Sequence, residues 1–207
     1  MENEKSLKVV IEALDELFNR FNKEVFGGEL QKPILTVNPD QTKGAYGWCT
    51  TWKAWRDSTM DEKESGYYEI NICAEHLARP FSDVCGTLLH EMVHLLNLQI
   101  GVKDCSRNGT YHNTKFRDEA LKRGLTVEQT EKYGWSKTKL TEDMEKIVND
   151  FRNKDFEIYR SKVGKPVAKK KSSSKKYFCE VCGASVRATK EVRIMCMICD
   201  EEMECDE

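Results

Sequence analysis

Apolar residues at Leu7, Val10, Ile11, Leu14, Leu17, Phe18, Phe21 and Val25 recur three or four positions apart, with Glu12, Asp15, Glu16, Asn19 and Arg20 on the opposite face. This period predicts an amphipathic helix with one face in a core. Gly27-Gly28 then stops it, since glycine adopts the left-handed conformation without a Cβ clash. Beyond this point the pattern shortens. Ile34–Val37 between two prolines, the aromatic and β-branched run Ala45–Trp52, and the alternating Tyr67–Cys73 read as three strands of a small sheet. The polar interval 56–66 reads as a loop or hairpin excursion. Trp52 and Trp55 beside it read as core aromatics at a strand end, with a cleft-lining role as the alternative.

After Pro80 the pattern changes again. Val84, Leu88, Leu89, Met92, Val93, Leu95, Leu96 and Leu98 make the next segment apolar on nearly every side, which predicts a buried central helix capped at Ser82 or Asp83 and ending near Gln99. A polar loop leads to His112. Asn113 is placed to cap a further helix that stops at Gly124. A short helix is expected over Leu125–Tyr133, and Met144, Ile147, Val148, Phe151, Ile158 and Tyr159 predict a long one. Residues 161–176 have the Lys, Ser, Pro and Gly content of a flexible linker.

Composition bounds the picture. A chain of 207 residues allows one core of ordinary size and a small annex. No apolar run approaches the roughly 20 residues of a membrane helix, so no membrane partner is expected. The first residues lack the basic and apolar regions of a secretory signal. With nine cysteines, this favours a reducing compartment where paired cysteines bind metal, hence a cytoplasmic location or association with the nucleoid. The net charge of −2 conceals an asymmetry: every charged residue from Arg160 to Lys176 is basic, and the tail from Asp200 to Glu207 is dominated by acids.

The central helix carries the chemistry. His90-Glu91-Met92-Val93-His94 places two imidazoles one helical turn apart, close enough to reach a single metal ion, with the Glu91 carboxylate beside it to take a proton from a water. Buried His and Glu are costly unless ligated or paired, which favours zinc binding here. A catalytic zinc takes three protein ligands and keeps one open position. His112, at a helix entrance after a loop long enough to fold back, is the better third candidate. His76 reads as a surface or capping histidine, and Asp104 and Cys105 remain outside candidates.

With these residues and Tyr111-His112-Asn113-Thr114-Lys115-Phe116 in view, the chain resembles the SprT-like metalloprotease family, which includes the Spartan proteases. Leu17–Leu30, with its Phe-Gly-x-x-Leu exit, is similar to that family's first helix. Tyr68–Ile72 followed by Thr87–Glu91 fits its strand and helix order, and the likeness spans Leu7 to Gly124. The resemblance implies an α+β, zincin-like protease domain with a small sheet packed on the His-Glu-x-x-His helix. It implies that His90, His94 and His112 hold a catalytic zinc with Glu91 as catalytic carboxylate, and that the substrates are proteins bound or crosslinked to DNA, a role in crosslink repair. The third-ligand segment departs from the glycine-flanked histidine of Spartan-type sequences, and no tail that binds ubiquitin or a sliding clamp is visible, so regulation does not carry over. No residue is assigned to the oxyanion; Tyr111 is the nearest candidate.

Cys179-x-x-Cys182 and Cys196-x-x-Cys199, thirteen residues apart, form a zinc-ribbon pattern in which four thiolates close a tetrahedron around a second, structural zinc. Gly183 suits the tight turn, and Val186, Val192 and Ile194 are expected to be the buried strand residues. Cys205 has no assigned role. The expected organisation is a protease domain with a helical C-terminal extension over residues 1–160, a basic linker over 161–176 and a ribbon with an acidic tail over 177–207. The linker, with Arg187, Lys190 and Arg193 of the ribbon, is expected to bind DNA phosphates. The leading function is a zinc-dependent endopeptidase acting on protein substrates. The alternative is a non-proteolytic zinc module that binds DNA or regulates.

Overall fold

The computed structural model describes residues 5–40, 44–59, 66–151, 156, 158–161 and 174–206. The chain divides into two compact units, Met1–Ser161 and Lys162–Glu207.

In the first unit, helix α1 (Leu7–Val25) buries Val10, Ala13, Leu14, Leu17, Phe18 and Phe21. Leu7 and Ile11, at the edge of the apolar stripe, stay exposed. The Phe26 N–H closes the last turn on the Phe21 and Asn22 carbonyls, and Gly28 donates to Asn22 at 2.8 Å. The Asn22 side chain then clamps the outgoing chain. Its amide donates to the Leu30 carbonyl at 3.0 Å, and its oxygen accepts from the Leu30 N–H at 3.1 Å.

Strands β1 (Ile34–Asn38), β2 (Gly47–Cys49) and β3 (Glu69–Cys73) form a sheet in the order β1-β3-β2, with β1 parallel and β2 antiparallel to β3. Central β3 is buried from Ile70 to Cys73. Its polar member Asn71 is satisfied, accepting from the Asn38 N–H at 2.8 Å and the Thr36 hydroxyl at 2.9 Å, as a buried amide requires. Beyond β2 the Thr50 N–H still donates to the Glu69 carbonyl at 2.9 Å, and an isolated antiparallel bridge joins Trp55 and Tyr67. The tip of the expected excursion, residues 60–65, lies outside the described residues.

Helix α2 (Phe81–Gln99) is the central element, with Val84, Leu88, Leu89, Met92, Val93 and Leu95 wholly buried. The expected cap moves: Pro80 takes the cap position and Ser82 and Asp83 fall in the first turn. Proline holds the entry extended by its ring, and Asp83 there complements the positive end of the helix dipole.

The second half of this unit departs further from expectation. Strands β4 (Cys105–Ser106), β5 (Tyr111–His112), β6 (Leu125–Thr130) and β7 (Gly134–Leu140) form a second sheet in the order β4-β5-β7-β6. Helix α3 (Thr114–Lys122) lies between β5 and β6, and the Asn113 side chain caps it by accepting from the Lys115 and Phe116 N–H groups. The helix expected over 125–133 is therefore a strand and turn. Leu125 and Val127 face the core on alternate positions, β-branched residues favour the extended form, and pairing with β7 outweighs a weak helical period. The long C-terminal helix is also shorter than expected. Helix α4 spans Glu142–Asn149, while Phe151, Phe156 and Ile158 pack on the core from non-helical backbone. Their spacings of five and two residues do not keep one helical face. Arg160 ties the segment down, donating its N–H to the Ala74 carbonyl at 3.0 Å and its guanidinium to Glu75 at 2.6 Å.

The second unit holds β8 (Lys175–Phe178), β9 (Ser185–Ala188), β10 (Met195–Cys196), β11 (Glu201–Glu202) and β12 (Glu204–Asp206), arranged as a β12-β8-β9 sheet and a β10-β11 hairpin. Lys175 and Lys176, expected in the linker, begin β8, whereas linker residues 162–173 lie outside the described residues. The expected core of this unit is corrected. Val186 and Val192 are exposed, whereas Tyr177 is buried along with Cys179 and Cys196, its hydroxyl accepting from the Val192 N–H at 3.1 Å. A sheet this small has only one covered face, and one large aromatic fills it better than scattered valines. Among the described residues no helix is long and apolar enough to cross a membrane.

Candidate metal centre

Three histidines from two regions of the chain meet above α2. His90 and His94 project from successive turns of this helix, and β5 brings His112 across. The Nε2 atoms lie 3.2 Å apart for His90 and His94, and 3.1 Å apart for each of the pairs His90–His112 and His94–His112. Nitrogens bound to one tetrahedral zinc at about 2.0–2.1 Å stand roughly 3.3 Å apart, so this triangle fits such an ion.

The other ring nitrogens support the same orientation. His94 Nδ1 lies 2.7 Å from an Asp104 carboxylate oxygen, His112 Nδ1 lies 3.3 Å from the Tyr133 carbonyl, and His90 Nδ1 lies 2.9 Å from the Thr138 hydroxyl. A carbonyl and a carboxylate only accept, so His94 and His112 carry a proton on Nδ1. The Thr138 hydroxyl can accept in the same way. Each ring thus turns Nε2 towards the shared centre. Phe116 on α3, wholly buried, makes ring contacts with His90, His94 and His112 at 4.6, 4.6 and 4.7 Å. It forms an apolar floor that holds the rings in place.

Electrostatics concentrate the positive charge of the metal-free cluster on one imidazole. Burial opposes charge on His94, but hydrogen bonds to Asp104 and Cys105 and the nearby Glu91 push it up to about 10. Burial, followed by repulsion from His94 and His112, holds His90 well below the ordinary histidine range. Burial and His94 lower His112 to about 4, against the opposing effect of the Tyr133 carbonyl. Two neutral nitrogens and one charged neighbour at this distance form a ready cation site once that proton leaves.

Glu91 is buried at 6 % exposure. Burial raises its carboxyl to about 7, although His94 and the Cys49 backbone N–H pull it down. The Cys49 contact depends on β2 running close to α2. A Cβ on Gly47 would stand 2.7 Å from the Asn71 carbonyl, 3.0 Å from Thr87 Cγ2 and 3.4 Å from Glu91 Cγ. Glycine is favoured here chiefly because a Cβ would press on the Asn71 backbone carbonyl of β3, with the Thr87 and Glu91 side chains of α2 adding tighter than usual contacts.

The other candidates lie elsewhere. His76 packs edge-on against Tyr46 at 4.6 Å, outside the histidine triangle. Asp104 and Cys105 cluster with His94, with Asp104 on the Nδ1 side of its ring. Tyr111 is half-buried beneath the Arg107 guanidinium. Phe116, Thr138, the Tyr133 carbonyl and Gly47 were not singled out from the sequence. Only Asn113, which starts the helix that delivers Phe116, carried a readable signal.

The second unit gathers Cys179, Cys182, Cys196 and Cys199 into one cluster, with Cys182 and Cys196 sulfurs 3.6 Å apart. Thiolates on a tetrahedral zinc at about 2.3 Å stand roughly 3.8 Å apart, so four sulfurs fit. Both turns share one backbone solution. Gly183 donates its N–H to the Cys179 carbonyl, and Asp200 donates to the Cys196 carbonyl, each at 2.8 Å and each with a left-handed φ. The Cys199 and Ile198 N–H groups lower Cys196 to about 7, which favours thiolate. Cys205 lies on exposed β12 and outside this cluster.

A family model described as the SprT-like family matches residues 14–133, more than half of the 207-residue chain. The match runs from α1 through α2 and His112 to the turn before β7, so the four-cysteine cluster lies outside it. No curated protein and no solved structure matches. The close approach at Gly47 yields a prediction: Gly47→Ala lowers stability by roughly 1–3 kcal/mol through overpacking, read as a lower urea midpoint with unchanged slope. An unchanged midpoint would show that β2 has room to move.

Proposed function

The chain belongs to the SprT-like family, and from that premise we propose that it is a zinc-dependent endopeptidase of zincin-like architecture acting on proteins bound or crosslinked to DNA. The observation that carries the reading is the convergence of three imidazole Nε2 atoms within 3.2 Å beside a buried carboxylate. A purely structural site would need no such carboxylate next to its ligands.

In this reading His90, His94 and His112 hold zinc and leave one position open. The bound ion supplies Lewis acidity, which lowers the pKa of a water and polarises a scissile carbonyl. Glu91 does the proton work. Burial raises this carboxyl to about 7 in the metal-free cluster, and a cation held beside it would favour the ionised form, which can take a proton from the attacking water and return it to the leaving amine. The Cys49 N–H holds that carboxylate towards β2.

The DNA-directed part rests on charge. We place the main contact in the linker, whose basic run includes Lys169-Lys170-Lys171. The ribbon contributes less, because Lys175 pairs with Glu191 and Arg193 pairs with Glu202, each at 2.7 Å. Lys176, Arg187 and Lys190 are its remaining candidate phosphate contacts. The four cysteines hold a structural zinc that stands in for the core this unit lacks. The alternative, a non-proteolytic DNA-binding or regulatory module, would need the same histidines without a use for Glu91.

Glu91→Gln, carrying full zinc, cleaves a DNA-bound protein substrate roughly 10²–10⁴-fold more slowly than wild type; cleavage at the wild-type rate would remove Glu91 from the mechanism and favour the alternative. Replacing Lys169, Lys170 and Lys171 together by Gln reduces the slope of log affinity against log salt by about 0.7–0.9 per lysine, measured by DNA binding over a salt series. An unchanged slope would move the contact away from the linker.

A further inference from the structure

His94 belongs to two clusters capable of holding a metal: one with His90 and His112, the other with Asp104 and Cys105. We infer that Asp104 is not a ligand but a positioning residue, which sets the zinc affinity of the three-histidine site by fixing the His94 ring. The inference rests on the proposed reading of that site.

Distance separates the two roles. Asp104 Oδ2 lies 2.7 Å from His94 Nδ1. A nitrogen and an oxygen sharing a tetrahedral zinc at about 2.0–2.1 Å would stand roughly 3.3 Å apart, as the Nε2 atoms nearly do. At 2.7 Å the contact is a strong, charge-assisted hydrogen bond. The same Oδ2 also accepts from the Asn97 side chain at 3.0 Å, which further commits that oxygen to hydrogen bonding.

Asp104 is anchored independently of His94. It is 7 % exposed and Asn97 is 2 % exposed. Asn97 lies on α2 itself, three residues beyond His94, so the carboxylate is held to the helix that carries the ligand. The Asp104 backbone carbonyl accepts from the Asn113 N–H at 2.9 Å, and the Asn113 side-chain amide donates to the Lys103 carbonyl at 3.0 Å. The residue that caps α3 therefore also fixes the loop that carries Asp104.

This arrangement has a chemical consequence. A carboxylate that accepts the Nδ1 proton leaves the Nε2 lone pair free to ligate, prevents the ring from rotating, and makes Nε2 a stronger donor. Thr138 and the Tyr133 carbonyl orient His90 and His112 in the same sense, but neither carries charge. Asp104 is the anionic brace among the three, so its loss should affect the site most.

The test uses the full chain with the ribbon metal retained and reads zinc affinity at the histidine site by chelator competition. Asp104→Ala is expected to bind zinc there roughly 10–100-fold more weakly. Asp104→Asn, which keeps an acceptor of the same shape without charge, should fall between it and wild type, and this variant carries the test if the alanine form does not fold. Long-range proton–nitrogen spectra of the zinc-loaded wild type should show a slowly exchanging proton on His94 Nδ1 that Asp104→Ala loses. Affinities of both variants within about twofold of wild type, or a His94 Nδ1 without a proton, would overturn the role of Asp104. Absence of zinc at the histidines in wild type would instead overturn the metal centre on which this inference rests.

Discussion

Burial of ionisable groups on an apolar helix is the constraint around which the first unit is arranged. Helix α2 places Glu91 among side chains that exclude water and sets two imidazoles against a phenylalanine floor. Such groups are tolerated only when each polar atom has a partner, because an unsatisfied one costs on the order of 1–3 kcal/mol. Every buried side-chain nitrogen and oxygen among the described residues has one. Two sheets supply the partners: β2 gives Glu91 the Cys49 N–H, while β5 brings His112, β7 brings Thr138, and the segments before β4 and β7 bring Asp104 and the Tyr133 carbonyl. Delivering the Cys49 N–H brings β2 against α2 at Gly47, where a Cβ would press on the Asn71 carbonyl of β3 and crowd Thr87 and Glu91.

Much of the site was legible in the sequence because it lies on one periodic element. The His-x-x-x-His spacing, the apolar surroundings and the single adjacent Glu all follow from one helix, and Asn113 marked the entrance from which His112 arrives. The partners were illegible because they come from segments whose local pattern is weak. Leu125–Tyr133 has enough scattered apolar residues to mimic a helical turn, yet pairing with Gly134–Leu140 makes it a strand, and that pairing carries Thr138 to His90. Phe151 and Ile158 misled in the opposite sense: their apolar character reports burial, and burial does not require a helix. The Asp104 loop had no period to read, so its carboxylate could only be counted among candidate ligands.

The second unit shows the same logic at smaller scale. Its sheet buries one tyrosine well and leaves Val186, Val192, Met197 and Ile198 exposed, so apolar burial alone is a weak source of stability for it. The two cysteine turns compensate by a shared backbone geometry that brings four sulfurs together. Gly183 adopts the required left-handed conformation freely, whereas Asp200 adopts it with a side chain in place, a conformation that Asp tolerates better than most residues. The cysteine spacing made this cluster readable; the identity of the small core did not follow from it, since Val186 lies in a two-faced strand that can turn it either way and Val192 lies outside any strand.

Metal coordination in the intact chain tests the account most directly. Zinc-edge X-ray absorption on the fully loaded protein, paired with elemental analysis, should find two zinc ions per chain. The averaged shell should combine sulfur at about 2.3 Å with nitrogen at about 2.0–2.1 Å, and His112→Ala should remove nitrogen scattering and one zinc while leaving the sulfur shell intact. A single zinc with only sulfur neighbours, unaffected by His112→Ala, would contradict a metal centre built on His90, His94 and His112.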